Sequence, residues 1–184
     1  MTTVAAIAAE YRRYKALADL AIEQVDDDEL RRTGPGDSNS IEILVRHLAG
    51  NFASRFTDFR TGDGEKPWRR RDDEFEPAAV TRQELLEQWE SAWTIVLKAV
   101  EAVTDADFAD TVTVRGQPLR IDEALLRSLA HTAYHVGQIV YLAKAIRAQE
   151  WKCLSIPKGM SEAYNRAPAN ESAAAHAAWL KANR

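Results

Sequence analysis

The sequence predicts an all-α fold, an antiparallel four-helix bundle, on three observations. First, the 184-residue chain holds four long stretches in which apolar residues recur at three- and four-residue steps, the period of an amphipathic helix. Second, its 8 glycines and 6 prolines cluster between these stretches rather than inside them. Third, only residues 111–121 (TVTVRGQPLRI) alternate like a strand, and they predict a small hairpin between the third and fourth helices.

The first two predicted helices are separated by the glycine- and proline-containing break RRTGPGDSNS. The first helix runs from about Val4 to Val25 and ends before this break. The second begins near Ser38 to Ser40, where Asn39 and Glu42 have the spacing of a capping box. It is expected to fade by Arg60, ahead of the turn-forming residues TGDGEKP.

The third and fourth predicted helices also begin at capping residues. Thr81 and Glu84 have capping-box spacing, and the helix they open carries one apolar stripe down to Thr104. Asp122 is a favourable N-cap for the fourth helix, which runs to about Gln149. The charged segment WRRRDDEFEP, residues 68–77, connects the second and third helices, and its Trp68 and Phe75 are expected to anchor it.

Length and composition predict a single domain, residues 1–166, followed by a tail, 167–184. The tail is expected to form a short helix capped at Asn170. The formal net charge of −4 argues against a nucleic-acid partner. The chain has no apolar run long enough to span a bilayer and no signal-peptide pattern at its start, so we expect a cytoplasmic protein without a membrane partner. Its single cysteine, Cys153, excludes an intramolecular disulfide, so a metal would rest on His, Asp, Glu or water.

The segment HTAYH, residues 131–135, carries two of the four histidines. His131 and His135 share one helix face because they are four residues apart, and a polar Ser128 and Gln138 lie on that face. His47 stands at an inward-leaning position of the second helix. Three histidines and a water form the open arrangement of a catalytic metal, and bundle interiors are where such sites are built. Unrelated structural histidines are the alternative explanation.

Other residues are candidates for contacts around the histidines. Asn51 lies one turn beyond His47, so it could face the metal cavity or bond between helices. Gln138 lies one turn beyond His135 and could orient a ligand or substrate. Tyr134 carries a proton-donating hydroxyl, although core packing also explains it.

Basic residues form a further set of candidates. Arg46 and the arginines at 69–71 could meet an anionic substrate, although such runs are usually solvated and the acidic residues at 72–74 can neutralise them. His176 is expected to be a surface residue, and Cys153 a small packed residue. The segment HTAYH lacks the glutamate of a His-Glu-x-x-His helix, which counts against a zincin-type peptidase.

Four stretches give the chain a wider likeness: ILVRHLAGNFASRF, RRRDDEFE, HTAYHVGQIVYLAKAI and WKCLSIPKGMSEAYN. Over residues 3–166 the sequence resembles the DinB/YfiT-like superfamily of four-helix bundles, and its last stretch is similar to an uncharacterised bacterial subfamily. The resemblance implies a divalent ion, zinc or nickel, held by His47, His131 and His135. It also implies a homodimer, and for some members a low-molecular-weight thiol as co-substrate.

Two functional hypotheses follow from these observations. The first is a metal-dependent enzyme, either a thiol-dependent S-transferase or a hydrolase, since an open metal position can activate a thiol or a water. The second is a non-catalytic metal-binding or structural helical bundle that forms a homodimer. Neither the residues nor the resemblance names a substrate.

Overall fold

The computed structural model describes residues 2–36, 38–167 and 173–183, which fold mostly into helices with one small two-stranded sheet. No described helix is both long and apolar enough to cross a membrane. The elements are, in chain order, α1 (Thr3–Ile22), α2 (Asp27–Arg31), α3 (Ile41–Phe56), α4 (Arg82–Glu101), β1 (Thr111–Val114), β2 (Gln117–Arg120), α5 (Ile121–Arg147), α6 (Ser161–Arg166) and α7 (Ala173–Ala182).

The predicted apolar stripes form the core between the four long helices. α3 packs on α4 and α5, and α1 packs on the same two helices. Tyr11, Phe52, Trp89 and Trp93 are at most 1% exposed and meet edge to face at the centre. The Trp89 indole N–H donates to Asp19 at 2.8 Å, so that polar atom is satisfied inside the core. The direct contact between α3 and α5 places these two helices side by side.

The helix boundaries differ from the expected ones at two N-termini. Ser40, not Asn39, caps α3 by accepting from the Ile43 N–H at 3.2 Å. Glu42 is then free to pair with Arg31 at 3.1 Å. α5 begins after Arg120, so Asp122 lies in its first turn rather than at its cap. In both places several neighbouring residues can cap, and tertiary contacts decide among them.

Helix α2 was not predicted, because its five residues read as the polar end of α1. Asp26 caps it, and Glu29 returns a hydrogen bond to the Asp26 N–H at 2.9 Å, which completes a capping box. The helix buries Leu30 to 2% exposure. It thus anchors the connection between α1 and α3 to the core.

The predicted hairpin is confirmed. Thr111 pairs with Arg120 and Val114 with Gln117, around a turn in which Arg115 and Gly116 have φ of 54° and 70°. Positive φ at both central residues is the signature of the two-residue hairpin turn. The carboxylate of Asp63 accepts from both turn amides, at 2.8 and 2.7 Å, and thereby ties the hairpin to the segment after α3.

The charged segment 68–77 is folded onto α3 rather than solvated throughout. Arg46 donates to the carbonyl oxygens of Glu76 at 2.7 Å and Asp73 at 2.5 Å. Phe75 packs on the His47 ring, with centroids 4.8 Å apart, as an anchor should. The expectation for Trp68 is wrong, because that side chain is 56% exposed.

The tail contains the expected short helix, α7, while its predicted cap at Asn170 lies outside the described residues. His176 was expected to be a simple surface residue. Its Nδ1 instead bonds with the Tyr164 hydroxyl at 2.8 Å, which joins α7 to α6.

Candidate metal centre

Helices α3 and α5 bring His47, His131 and His135 together. His47 is 3% exposed and His135 is 9% exposed, whereas His131 is half-buried. The His131 Nε2 atom lies 3.3 Å from Nε2 of His47 and 3.1 Å from Nε2 of His135. Three imidazole nitrogens therefore face a common point, and the three side chains could hold a metal ion.

Hydrogen bonds on the far side of two rings fix which nitrogen carries the proton. Nδ1 of His47 lies 2.9 Å from the Glu74 carboxylate, and Nδ1 of His135 lies 2.8 Å from the Gln138 side-chain oxygen. Both partners are acceptors, so each Nδ1 is the donor and the neutral ring presents a lone pair at Nε2. Gln138 thus orients His135.

Without a cation, the third histidine, His131, leaves one buried nitrogen of the cluster without a hydrogen-bond donor. Within the described part of the chain, Nδ1 of His131 is buried and has no hydrogen-bond partner. A neutral His131 can carry at most one proton at Nε2 and can satisfy only one of the two neighbouring nitrogens. The other nitrogen remains a buried acceptor without a donor, which is costly. A bound cation would satisfy all three nitrogens at once.

Burial favours the neutral form of two of the three histidines, His131 and His135. Desolvation, followed by the nearby His135 and His47, lowers the pKa of His131 to about 4. Desolvation also lowers the pKa of His135, against the opposing effect of its bond with Gln138. Neutral imidazoles are the form that binds metal ions, so burial keeps His131 in its metal-binding form at mildly acidic pH and favours that form of His135.

Glu74 is held as a carboxylate by Arg69. Burial favours its neutral form, but the hydrogen bonds from His47 and Arg69 outweigh burial and lower the pKa of Glu74. The Arg69 guanidinium donates to both Glu74 oxygens, at 2.8 and 2.9 Å, and its side chain is only 2% exposed. Arg69, Glu74 and His47 therefore form one chain of charge-assisted hydrogen bonds behind the cluster.

A cavity of about 620 Å³ opens beside the three histidines. Asn51 and Tyr134 line it, and the Tyr134 ring, 64% exposed, lies 4.8 Å from that of His135. Arg46 does not line it, because its guanidinium binds the segment 68–77. Cys153 also lies away from the cavity lining, and its sulfur contacts the Ser155 carbonyl at 3.3 Å.

A family model with the description "Protein of unknown function (DUF1572)" matches residues 2–160. The chain belongs to the DUF1572 family. The region that matches the DUF1572 model contains α1 to α5, the hairpin and all three clustered histidines. No curated protein and no solved structure matches the chain. The finer resemblance to the DinB/YfiT-like superfamily stays a prediction.

Sequence reasoning on this DUF1572 chain missed Glu74 and Arg69 as partners of the cluster. Both belong to a run of three arginines followed by three acidic residues, and such charged runs usually lie in solvent. Arg70 and Arg71 follow that rule, with side chains 80% and 50% exposed. The one sequence signal for the inward turn was Phe75, an aromatic residue next to Glu74.

In this DUF1572 protein the Glu74 carboxylate lies directly against Gly50 of α3, in space that a side chain would fill. A Cβ at position 50 would lie 2.2 Å from Oε1 and 2.8 Å from Cδ of Glu74. His47 and Arg69 hold that carboxylate, so it cannot rotate away freely. We expect Gly50→Ala to lower the free energy of unfolding by about 1–3 kcal/mol and to weaken zinc binding about tenfold. Urea denaturation and a competitive zinc titration measure the two effects.

Gly137 provides the matched control, since it is also helical but a Cβ there meets nothing within 4 Å. Gly137→Ala is expected to stabilise the protein by about 0.5–1 kcal/mol through helix propensity alone. Equal stabilisation by both substitutions would show that Glu74 does not need the space above Gly50.

Acid should destabilise the metal-free protein through His131. The unfolded histidine takes up a proton below about pH 6.5, whereas the folded one does so only near its pKa of about 4. The unfolded state therefore binds more protons in this window, and stability falls as pH drops through it. With allowance for solvent screening, we expect a loss of about 2 kcal/mol between pH 7 and pH 4.

Urea denaturation of chelator-treated protein at pH 7, 5.5 and 4 measures this loss, with His131→Gln as the comparison. The variant lacks the imidazole whose pKa is lowered in the folded state, and it should lose less stability over the same pH range. An identical loss in both proteins would assign the acid sensitivity to other groups.

Proposed function

We propose that this DUF1572 protein is a metal-dependent enzyme built on a DinB/YfiT-like four-helix bundle. One divalent ion, zinc or nickel, is held by the Nε2 atoms of His47, His131 and His135. One observation carries the proposal: three imidazole nitrogens converge, and hydrogen bonds at Nδ1 of two of the rings turn their Nε2 atoms toward the common point.

The spacing of the nitrogens fits such an ion. Metal–nitrogen bonds of about 2.0–2.1 Å at tetrahedral angles put ligand nitrogens about 3.3–3.4 Å apart. The two Nε2 distances from His131, 3.3 and 3.1 Å, are close to this spacing, and the ligand nitrogens of all three histidines lie within 4.8 Å of one another. Three protein ligands leave a position open, and the cavity beside the cluster gives a substrate access to it.

The reaction best supported is a thiol-dependent transfer, with a low-molecular-weight thiol as co-substrate. When bound, a divalent ion of this kind lowers the pKa of a coordinated thiol or water. Among the described residues that line the cavity there is no aspartate or glutamate, and Glu74 is engaged by His47 and Arg69. A zincin-type hydrolase pairs its metal-bound water with a glutamate base, and the described lining offers no such carboxylate, so the lining favours transfer.

The chain's own residues position the reactants. Glu74 and Gln138 hold the rings of His47 and His135 in their tautomers. Asn51 and Tyr134 line the cavity, and we assign them contacts with the substrate. The aromatic walls contributed by Phe56 and Phe59 exclude water from one side of the same space.

A homodimer belongs to the same proposal. Leu126, Tyr134 and Tyr141 follow one another at steps of eight and seven residues on α5 and are 55%, 64% and 69% exposed. An exposed apolar stripe of this kind is typical of a protein interface. Light scattering should give twice the 20.6 kDa of one chain, and Tyr141→Glu should reduce that mass to one chain.

Metal content and turnover together test the enzymatic function. Purified protein loaded with zinc or nickel and passed over a desalting column should retain one ion per chain by elemental analysis. The loaded protein is then screened with small thiols against epoxide and haloalkane electrophiles. Metal-dependent thioether formation supports the proposal. Metal retention without any turnover would favour a non-catalytic bundle, and failure to retain either metal would refute the metal site.

A further inference from the structure

The cavity beside the histidines is strongly basic. No acidic side chain is found among its described lining residues, whereas five arginines line it: Arg55, Arg69, Arg71, Arg115 and Arg127. A cavity lined by one sign of charge concentrates ligands of the opposite sign. Whether it can still bind an anion depends on how many of these guanidinium groups already have carboxylate partners.

Two carboxylates behind the lining occupy three of the arginines. Glu65 pairs with Arg55 at 3.2 Å and with Arg115 at 2.7 Å. Glu74 pairs with Arg69 at 2.8 Å. These three guanidinium groups are thus satisfied within the protein, and they serve to hold the cavity wall.

Arg71 and Arg127 are left for a ligand. Arg71 lies on the Phe75 ring, 4.9 Å from its centroid, and its acidic neighbour Asp72 is 3.6 Å away with a side chain that is 98% exposed. Arg127 is exposed and has no hydrogen bond or ion pair to any residue that the structure describes. Two positive charges at the cavity thus lack a buried partner.

Arg127 lies close enough to the histidine cluster for one ligand to reach both. It precedes His131 by four residues on α5, so the two side chains lie on one face about 6 Å apart at their Cβ atoms. An anionic group bound by Arg127 would therefore sit about one helical turn from the His131 ring. A small organic molecule spans that distance.

The remaining lining is apolar. Phe56 and Phe59 stack with centroids 5.3 Å apart, and Val114 and Leu119 of the hairpin line the same cavity. Inorganic anions alone would leave these walls in contact with water. An apolar body attached to the anion would cover them and remove that apolar surface from water, which favours binding.

We propose that the cavity binds an amphipathic organic anion, with its anionic group at Arg127 and Arg71 and its apolar body against Phe59 and Leu119. The assignment of its other end to the histidine cluster rests on the proposed function. The anion contacts themselves need only arginines of the chain and so are present with or without a metal.

The test uses 4-phenylbutyrate and its uncharged analogue 4-phenylbutyramide as probes of the full chain, by isothermal titration calorimetry. Each probe is titrated into zinc-loaded protein and into chelator-treated protein whose metal content has been measured. We expect the carboxylate to bind both forms, and at least about tenfold more tightly than the amide, because charged hydrogen bonds are lost with the amide. Arg127→Gln should weaken the carboxylate on the order of tenfold and leave the amide unchanged.

Arg70→Gln is the matched control, since Arg70 is 80% exposed and does not line the cavity. It should bind both probes as the wild type does. Equal affinities for the two probes, an unchanged Arg127→Gln variant, binding of the carboxylate only to the zinc-loaded form, or no binding at millimolar concentration would each overturn the proposal. A protein that binds no zinc but still prefers the carboxylate would refute the metal site and support the anion site.

Discussion

His131→Ala is expected to reduce the affinity for zinc by on the order of 10²–10³-fold. His131 stands between the other two histidines, with its Nε2 within 3.3 Å of both. If zinc bound by four protein ligands gains about 10–16 kcal/mol in total, one ligand accounts for about 2.5–4 kcal/mol. Competition with a chromogenic chelator at pH 7 measures the affinity, and circular dichroism checks that the variant is folded.

His176→Ala controls for the loss of any histidine. His176 bonds to Tyr164 in the tail and does not belong to the cluster. This variant should keep the zinc affinity of the wild type. Zinc affinity that survives His131→Ala, or that falls equally in both variants, would place the ion elsewhere on the chain.

Glu74→Gln is expected to cost about 2–4 kcal/mol of unfolding free energy and about 10–100-fold in zinc affinity. The stability is lost because Arg69, 2% exposed, keeps its charge without the carboxylate that it pairs with. The affinity is lost because the neutral amide accepts more weakly from Nδ1 of His47 and polarises that ring less. Urea denaturation of the metal-free protein and the chelator competition measure these effects separately.

Two further variants separate the loss of a carboxylate in general from the loss of the one that pairs with Arg69. Asp73→Asn removes a neighbouring carboxylate whose pair with Arg70 is exposed, and it should change stability by less than about 0.5 kcal/mol. Adding Arg69→Met to Glu74→Gln removes the unpaired buried charge, so stability should recover while zinc affinity stays low. Recovery of both would mean that Glu74 serves only to neutralise Arg69.

The long helices were predictable because each buries a continuous apolar stripe. Trp89 and Trp93 on α4 illustrate this, since their spacing alone gives the buried face. The capping residues were harder, because Asn39 and Ser40 are both good caps and only packing selects Ser40. Helix α2 was missed because four charged residues and one leucine have no measurable period.

The three histidines were found from spacing, since two lie four residues apart and the third occupies an apolar face of another helix. The partners behind them could not be found in this way. Glu74 reaches His47 only because the segment 68–77 folds back on α3, where Gly50 leaves room for its carboxylate. That approach is a tertiary contact, and no local pattern in a charged segment encodes it.

The most direct measurement of the central claim is an anomalous-scattering crystal structure of the zinc-loaded protein, with data collected on both sides of the zinc absorption edge. We expect one anomalous peak per chain, about 2.0–2.1 Å from the Nε2 atoms of His47, His131 and His135. We further expect Glu74 and Gln138 still bonded to the two Nδ1 atoms. A chain with no peak at the cluster, or with zinc held by other residues, would contradict binding of the ion by the three histidines.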